Sequence, residues 1–260
     1  MCELSNLVDR TDGIPESSSS WGDSSRSQMA DVPIAGPPRE AYYVVVGGAM
    51  NPAIHHPYWY RTIGAIDEAE LQASLRNPLN TTGPVLSMVQ FGSPALTVTC
   101  QPANWWIHSN DANLWSRMVE IAALVFARLN ETPVTVFGFT SQLHIDTVDP
   151  DTKSVLAKSI LGMKLGLPEG SGKSTSSNIS LSVTDEDAVV NTSLQPSIVS
   201  ERAIFVSLNC QYSPPGVAPS YFDLGELLRG RLDKYRTLEL RVRTDMVAAV
   251  NALSETKKSL

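Results

Sequence analysis

The chain has 260 residues, 42% of them hydrophobic, which is enough to bury one sizeable core or a core with a small appended part. Its net charge of −7 and isoelectric point near 5.1 argue against a general attraction to nucleic-acid phosphates, because that attraction requires a basic surface. No run of about 18 apolar residues occurs, so we expect no membrane-spanning segment.

The cysteines and the start of the chain indicate a cellular compartment. The first residues lack the basic start and the apolar core of a secretion signal. Cys2, Cys100 and Cys210 are an odd number of thiols, and none has the paired spacing of metal ligands. Cys100 and Cys210 each end a strand-like run, where a buried thiol behaves as a small hydrophobic group. These features predict reduced thiols and a cytoplasmic protein.

Residues 1–40 differ in composition from the rest of the chain. They are rich in serine, as in Ser17–Ser20, poor in large apolar side chains, and more acidic than basic. Such a segment cannot bury enough apolar surface to offset the entropy lost on ordering. We therefore predict a disordered Ser/Pro-rich acidic tail over residues 1–40 and a single α+β domain over residues 41–260.

Strands and short helical segments alternate in the first half of the predicted domain. A β-branched and aromatic run predicts a first strand at Tyr42–Val46, and Asn51–Tyr60 is predicted to be an aromatic loop. Asp67–Leu75 has the pattern of a short helix. Three further strands are predicted at Val85–Phe91, Ala95–Cys100 and Trp105–His108.

The segment Asn110–Ile145 gives the clearest pattern, a helix followed at once by a strand. Apolar residues recur at steps of three and four, which lines one helix face. Pro133 ends this pattern, and Val134–Ile145 continues with β-branched and aromatic residues. Alternate residues of that strand are apolar and share one face of a sheet. The helix-face residues are Leu114, Met118, Ile121, Ala122, Val125 and Leu129, and the strand-face residues are Phe137, Phe139, Leu143 and Ile145.

The second half predicts another helix at Val155–Leu165 and then a flexible loop at Leu167–Ser177. Three runs, Asn178–Thr184, Ala188–Leu194 and Arg202–Tyr212, resemble an antiparallel meander. No internal repeat is apparent, and strands and helices do not alternate strictly. This pattern predicts an α+β fold with a largely antiparallel sheet, one helix packed after the central hairpin, and a long C-terminal helix.

The C-terminal segment, residues 221–256, is predicted to be one long helix or two helices with a kink. Its apolar stripe is wide enough to pack on the sheet of its own domain, and we expect the end beyond Val242 to be available to a partner. Leu240 and Val247 fall off the stripe, so they are surplus apolar groups on a monomer. The stripe consists of Leu224, Leu228, Leu232, Tyr235, Leu238, Val242, Met246, Val250 and Leu253.

The glycine- and serine-rich stretch Gly170–Thr175 resembles a phosphate-binding loop. The full motif needs a glycine where this chain has Leu167, and it should follow a strand and open a helix. The predicted order is the reverse, which favours a flexible loop. If the stretch does bind a nucleotide, Gly172 and Lys173 contact phosphate and Ser174 holds magnesium.

Metal and nucleophile patterns are weak. Adjacent histidines on an extended loop point apart, and the aspartates of Asp146–Asp151 lack the glycine and the distal glutamate of a calcium loop. No G-x-S-x-G elbow occurs. We therefore predict no catalytic residue, no metal site and no cofactor. The histidines considered are His55, His56, His108 and His144.

Aromatic and arginine residues are better candidates for binding another molecule. Trp105 and Trp106 are adjacent on one strand, so one ring enters the core and the other lies near the surface. Rigid aromatic rings and arginine are enriched where protein interfaces derive their energy. Arginines recur at intervals of seven along the C-terminal helix, beside its apolar stripe. The candidate interaction residues are Trp59, Trp106, Arg229, Arg236, Leu240, Arg243 and Val247.

The stretch Val125–Phe139, followed by His144, resembles a pattern in small uncharacterised bacterial proteins. They have a helix, then a strand that starts with Thr-Pro-Val and contains a glycine, and then a histidine. The resemblance covers about residues 85–146, and Thr140 stands where the pattern usually has asparagine. It implies a bacterial or phage-like cytoplasmic protein and no particular activity.

Two functional hypotheses follow from the sequence. The first is a non-enzymatic interaction or assembly protein that self-associates or binds a protein partner, and it depends on the amphipathic C-terminal helix and the acidic tail. The alternative is a nucleotide- or nucleic-acid-dependent enzyme that uses Gly170–Thr175. The negative charge makes a nucleic-acid partner the weaker expectation.

Overall fold

The computed structural model describes residues 40–92, 96–146, 179–185, 188–200, 202–215 and 223–256. Within these ranges the chain forms nine strands and four α-helices. The strands are β1 Glu40–Gly48, β2 Thr81–Thr82, β3 Ser87–Phe91, β4 Leu96–Gln101, β5 Asn104–Ser109, β6 Val134–Asp146, β7 Ile179–Asp185, β8 Ala188–Pro196 and β9 Ala203–Tyr212. The helices are α1 Pro57–Thr62, α2 Glu68–Leu75, α3 Trp115–Arg128 and α4 Leu224–Thr256.

All nine strands join one antiparallel sheet in the order β2-β3-β4-β5-β1-β6-β9-β8-β7. Every described residue belongs to the same compact unit. The helix after the central hairpin and the long C-terminal helix are both present. The predicted α+β class with a largely antiparallel sheet is therefore confirmed.

One face of the sheet carries the core. Alternate residues of the central strands point to this face and are buried, as Val44, Ile107 and Phe139 are. Helices α3 and α4 lie on it, and the rings of Trp115 on α3 and Tyr235 on α4 meet edge to face with centroids 5.4 Å apart. The parity predicted for β6 is confirmed, since Phe139 and the residues that share its face pack against the helices.

Helix α4 is a single helix from Leu224 to Thr256 rather than two helices with a kink. Its first half is held tightly: Leu228 and Tyr235 are fully buried. Gly225 allows close contact with α3, because a β-carbon added there would lie 2.6 Å from the β-carbon of Ala123. Farther along the helix, Leu238, Val242 and Met246 of the stripe are only partly buried.

The order of elements repeats within the chain. Strand β1, the meander β3-β4-β5 and helix α3 are followed by strand β6, the meander β7-β8-β9 and helix α4. In the sheet these strands are arranged symmetrically on either side of the β1–β6 pair. The fold thus has an internal two-fold pattern that the residue sequence does not reveal, because side-chain identity at matching positions differs.

The prediction of a loop over Asn51–Tyr60 was wrong. This segment forms a 3-10 turn at Pro52–Ile54 and then α1, which starts at Pro57. A proline is compatible with the first position of a helix, because the amide that it lacks has no partner there. The side chain of His56 caps this start by accepting from the Tyr58 amide.

Several predicted segments lie outside the described residues: the tail over residues 1–39, the helix Val155–Leu165 and the loop Leu167–Ser177. Among the described helices, none combines the length and the apolar composition needed to cross a membrane.

Candidate functional site

The sheet face opposite the helices, here called the open face, is the candidate functional site. Backbone pairing places the other set of alternate residues on this face, and the described helices pack on the opposite face. From β3 to β7 the open face includes Met88, Gln90, Thr97, Thr99, Trp106, His108, Ala41, Tyr43, Val45, Val136, Gly138, Thr140, Gln142, His144, Phe205, Ser207, Asn209, Gln211, Val189, Asn191, Ser193, Gln195, Ser180, Ser182 and Thr184.

The open face has no charged residue among these positions. Charged residues make up 18% of the chain, and a solvated sheet face usually carries its share of lysine and glutamate. Asp146, at the last position of β6, lies at the margin of the face. Apart from Gly138, the open-face residues named above have hydroxyl, amide, imidazole, aromatic or aliphatic side chains, so the face is polar and electrically neutral.

Aromatic groups occupy the centre of the open face. The ring of Tyr43 on β1 stacks on His108 of β5, with centroids 5.2 Å apart and planes 29° apart. Trp106 lies one row away, across from Val45, and is partly buried. Burial raises the pKa of the Tyr43 phenol and lowers the pKa of His108, so both side chains are neutral near pH 7.

Two polar atoms of the open face are buried without a hydrogen-bond partner among the described residues. They are Nδ1 of His108 and Oδ1 of Asn209. Both belong to the row His108, Tyr43, Thr140, Asn209, which crosses four neighbouring strands. A buried polar atom without a partner costs about 1–3 kcal/mol.

A pocket with a volume of 360 Å³ lies at one end of the open face. Tyr43, His144 and Phe205 form part of its wall, and Ile198 and Val199 of the turn after β8 close one side. The turn is fixed through the hydroxyl of Ser197, which accepts from the amides of Val199 and Ser200 at 3.0 and 3.1 Å.

The same hydroxyl contacts His144. With both lone pairs of the Ser197 oxygen occupied by amides, its proton points to Nδ1 of His144, 2.8 Å away. Ile198 beside it is 92% exposed, an apolar side chain at the margin of the open face.

The two candidate tryptophans have different environments. Trp106 lies on the open face, whereas Trp105 is fully buried, so one ring is inside and the other outside, as the alternation of the strand predicted. Trp59 lies on α1 and is packed against the core, with its ring 5.1 Å from that of His55. Of the predicted aromatic candidates, only Trp106 therefore belongs to the open face.

Two of the candidate arginines hold α4 in place. Arg229 donates two hydrogen bonds of 2.6 Å to Glu120 of α3, and these bonds lower the pKa of that carboxyl. Arg243 pairs with Glu40 at the start of β1 at 3.0 Å and donates to the Tyr42 hydroxyl at 2.9 Å. Both arginines thus make contacts within the chain.

The remaining candidates on α4 point away from the sheet. Arg236 is exposed, and Leu240 and Val247 are 62% and 39% exposed. Both positions were predicted to fall off the packed stripe. Their part in binding a partner stays a prediction.

The histidines and cysteines considered for metal binding or catalysis have the following environments in the described part of the chain. Among them, no three His, Cys, Asp or Glu side chains gather where they could hold a metal ion. His55 is buried, with Nδ1 2.7 Å from the Tyr60 hydroxyl. Cys100 and Cys210 are both buried, and burial raises the pKa of the Cys100 thiol to about 12. Gly172, Lys173 and Ser174 lie outside the described residues, so the nucleotide alternative stays a prediction.

No protein-family model matches this chain, and no curated protein is similar to it in sequence. The sequence signal that could have identified the open face is the run of uncharged polar residues at alternate positions in the last three strands. Asn191, Ser193 and Gln195 on β8, for example, show it clearly. It becomes meaningful only when the strand order is known.

Proposed function

We propose that the protein is a non-enzymatic interaction or assembly protein that binds protein through its open face. The observation that carries this proposal is a neutral, partly aromatic sheet face that has no described helix over it. Interfaces between proteins are depleted in charged residues at their centre and enriched in tyrosine and tryptophan. Tyr43 and Trp106 lie at the centre of this face and meet that description.

The dimensions of the open face suit this role. Eight strands about 4.8 Å apart, paired over about six residues each at ~3.3 Å per residue, cover roughly 800 Å². This is the area that each partner contributes to a stable protein interface of standard size. A small-molecule site needs far less surface and is usually concave.

The predicted contribution of α4 is secondary. Its arginines at positions 229 and 243 make contacts within the chain, which leaves Leu240 and Val247 as isolated apolar groups. Two such side chains provide a small fraction of a standard interface. The open face therefore supports the interaction hypothesis better than the helix does.

A variant with one charged side chain added to the open face tests the proposal. Thr140→Arg places a cation at the centre of the open face, and Thr237→Arg places one on the exposed side of α4 as a matched control. The full chain and both variants are immobilised and exposed to cell lysate and to the free chain. We expect the wild type and Thr237→Arg to retain a protein that Thr140→Arg does not.

A wild-type chain that is strictly monomeric in light scattering and retains no protein contradicts the proposed function. A partner that Thr140→Arg still retains contradicts the placement of the site on the open face.

A further inference from the structure

We infer that the partner of the open face is a second copy of this chain, and that the two sheets stack face to face. This inference rests on the proposed function and names the occupant of the same surface. Three properties of the described residues carry it: charge, self-complementarity and available area.

Charge restricts where two copies can meet. Each chain carries a net charge of −7, so two copies repel each other at long range. The described parts of α3 and α4 present many charged side chains, including Glu120, Arg229 and Arg236. The open face has no charged residue at the positions that define it, so two copies can approach there without burying a charge.

Self-complementarity follows from side-chain chemistry. In a two-fold dimer the same patch is used by both copies, so each group must be able to meet a copy of itself or of a neighbour. Hydroxyl and amide groups meet this demand, because each contains both a donor and an acceptor. The open face offers such groups on every strand from β9 to β7, such as Asn209, Asn191 and Ser182.

The layers formed by the described residues indicate how two copies stack. The described helices cover one face of the sheet, so two copies that meet through the other face form a helix–sheet–sheet–helix arrangement. Packed sheets lie about 10 Å apart, with strands inclined by about 30°. The face of roughly 800 Å² per copy then gives a total near the standard ~1,600 Å² of a stable dimer.

The test is the mass of the full chain in solution. The wild type is measured by light scattering and analytical ultracentrifugation at about 100 µM, well above the dissociation constant that a standard interface gives. We expect twice the chain mass of 28.2 kDa. Thr140→Arg should raise the dimer dissociation constant at least tenfold, and Thr237→Arg should leave it unchanged.

A second variant keeps the test valid if Thr140→Arg does not fold. Ser193→Arg changes the open face on the outer strand β8. Circular dichroism and the melting temperature establish that each variant is folded. Loss of the dimer in either folded open-face variant supports the inference.

Three outcomes overturn the inference. A dimer that persists in both open-face variants but dissociates in Val247→Glu places the contact on α4. A wild-type monomer that still captures a lysate protein, lost in Thr140→Arg, leaves the proposed function intact and shows that the partner is a different chain. A wild-type monomer that captures nothing contradicts both proposals.

Discussion

The hydroxyl of Tyr235 on α4 lies 2.7 Å from the hydroxyl of Ser141 on β6, and both groups are fully buried. The same tyrosine oxygen lies 3.3 Å from the carbonyl oxygen of Leu208 on β9. One side chain of α4 thus connects two neighbouring strands of the sheet. Because the hydroxyl can donate to only one of these oxygens, it is best placed to accept from Ser141 and donate to Leu208.

Replacing Tyr235 with phenylalanine should lower the free energy of unfolding by about 1–3 kcal/mol, because it leaves the buried hydroxyl of Ser141 without this partner. Urea unfolding measures the change. Tyr58→Phe is the matched control, since Tyr58 is 55% exposed and should change stability by less than about 0.5 kcal/mol. Equal effects of the two substitutions would argue against the buried hydrogen bond.

The contact between α3 and α4 depends on the absence of a side chain at Gly225. Gly225→Ala brings a β-carbon within 2.6 Å of the Ala123 β-carbon and should destabilise the fold by about 1–3 kcal/mol through overpacking. Gly230→Ala on the same helix meets nothing within 4 Å and should stabilise the fold by about 0.5–1 kcal/mol. Opposite shifts in melting temperature are the expected result, and a stabilising Gly225→Ala would contradict the close approach.

The buried His55 predicts loss of stability in mild acid. Burial lowers its pKa from the ordinary 6.5 to about 4. Between these two pH values the imidazole is protonated in the unfolded chain but stays neutral in the folded chain. Stability is therefore complete at neutral pH and decreases as the pH falls from about 6.5 towards 4. Between pH 7 and pH 5 the loss due to His55 is about 2 kcal/mol.

Chemical unfolding of His55→Gln at several pH values tests this. The variant should lose about 2 kcal/mol less than the wild type between pH 7 and pH 5. Thr237→Ser, an exposed substitution on α4 that removes no titratable group, serves as the control and should keep the wild-type dependence. A pH profile that His55→Gln does not alter would show that this imidazole is not the buried group responsible.

The buried thiols should be inert in the native protein. Because the pKa of Cys100 is about 12, almost none of it is thiolate at pH 8. In a Cys2→Ser background, a thiol reagent should modify neither Cys100 nor Cys210 until denaturant is added. Rapid modification of the folded chain would contradict their burial.

Individual helices and strands of this fold could be predicted from the sequence. Helix α3 and strand β6 were predicted because their periods of 3.6 and 2 change abruptly at Pro133. The same reasoning predicted that one of Trp105 and Trp106 lies inside and the other outside, without deciding which. It was wrong at α1, where Pro57 was interpreted as part of a loop although it occupies the first position of a helix.

The candidate site could not be predicted from the sequence in the same way. Tyr43 and Thr140 are 97 positions apart in the printed sequence and become direct neighbours only because β1 pairs with β6. Each strand taken alone shows a few uncharged residues, which is unremarkable in a protein. The neutral surface is a property of the strand order, which periodicity does not determine.

The position of β1 between β5 and β6 has a consequence for synthesis on the ribosome. The chain from Glu40 to Ser109 contains β1 and every strand on one side of it, so this half can pair as soon as it emerges. Until Val134–Asp146 has been made, however, β1 has a neighbour on one side only. Its other edge then presents unpaired amides and carbonyls, which can recruit a foreign strand. The nascent protein is most vulnerable to mispairing in that interval, before its own central partner strand exists.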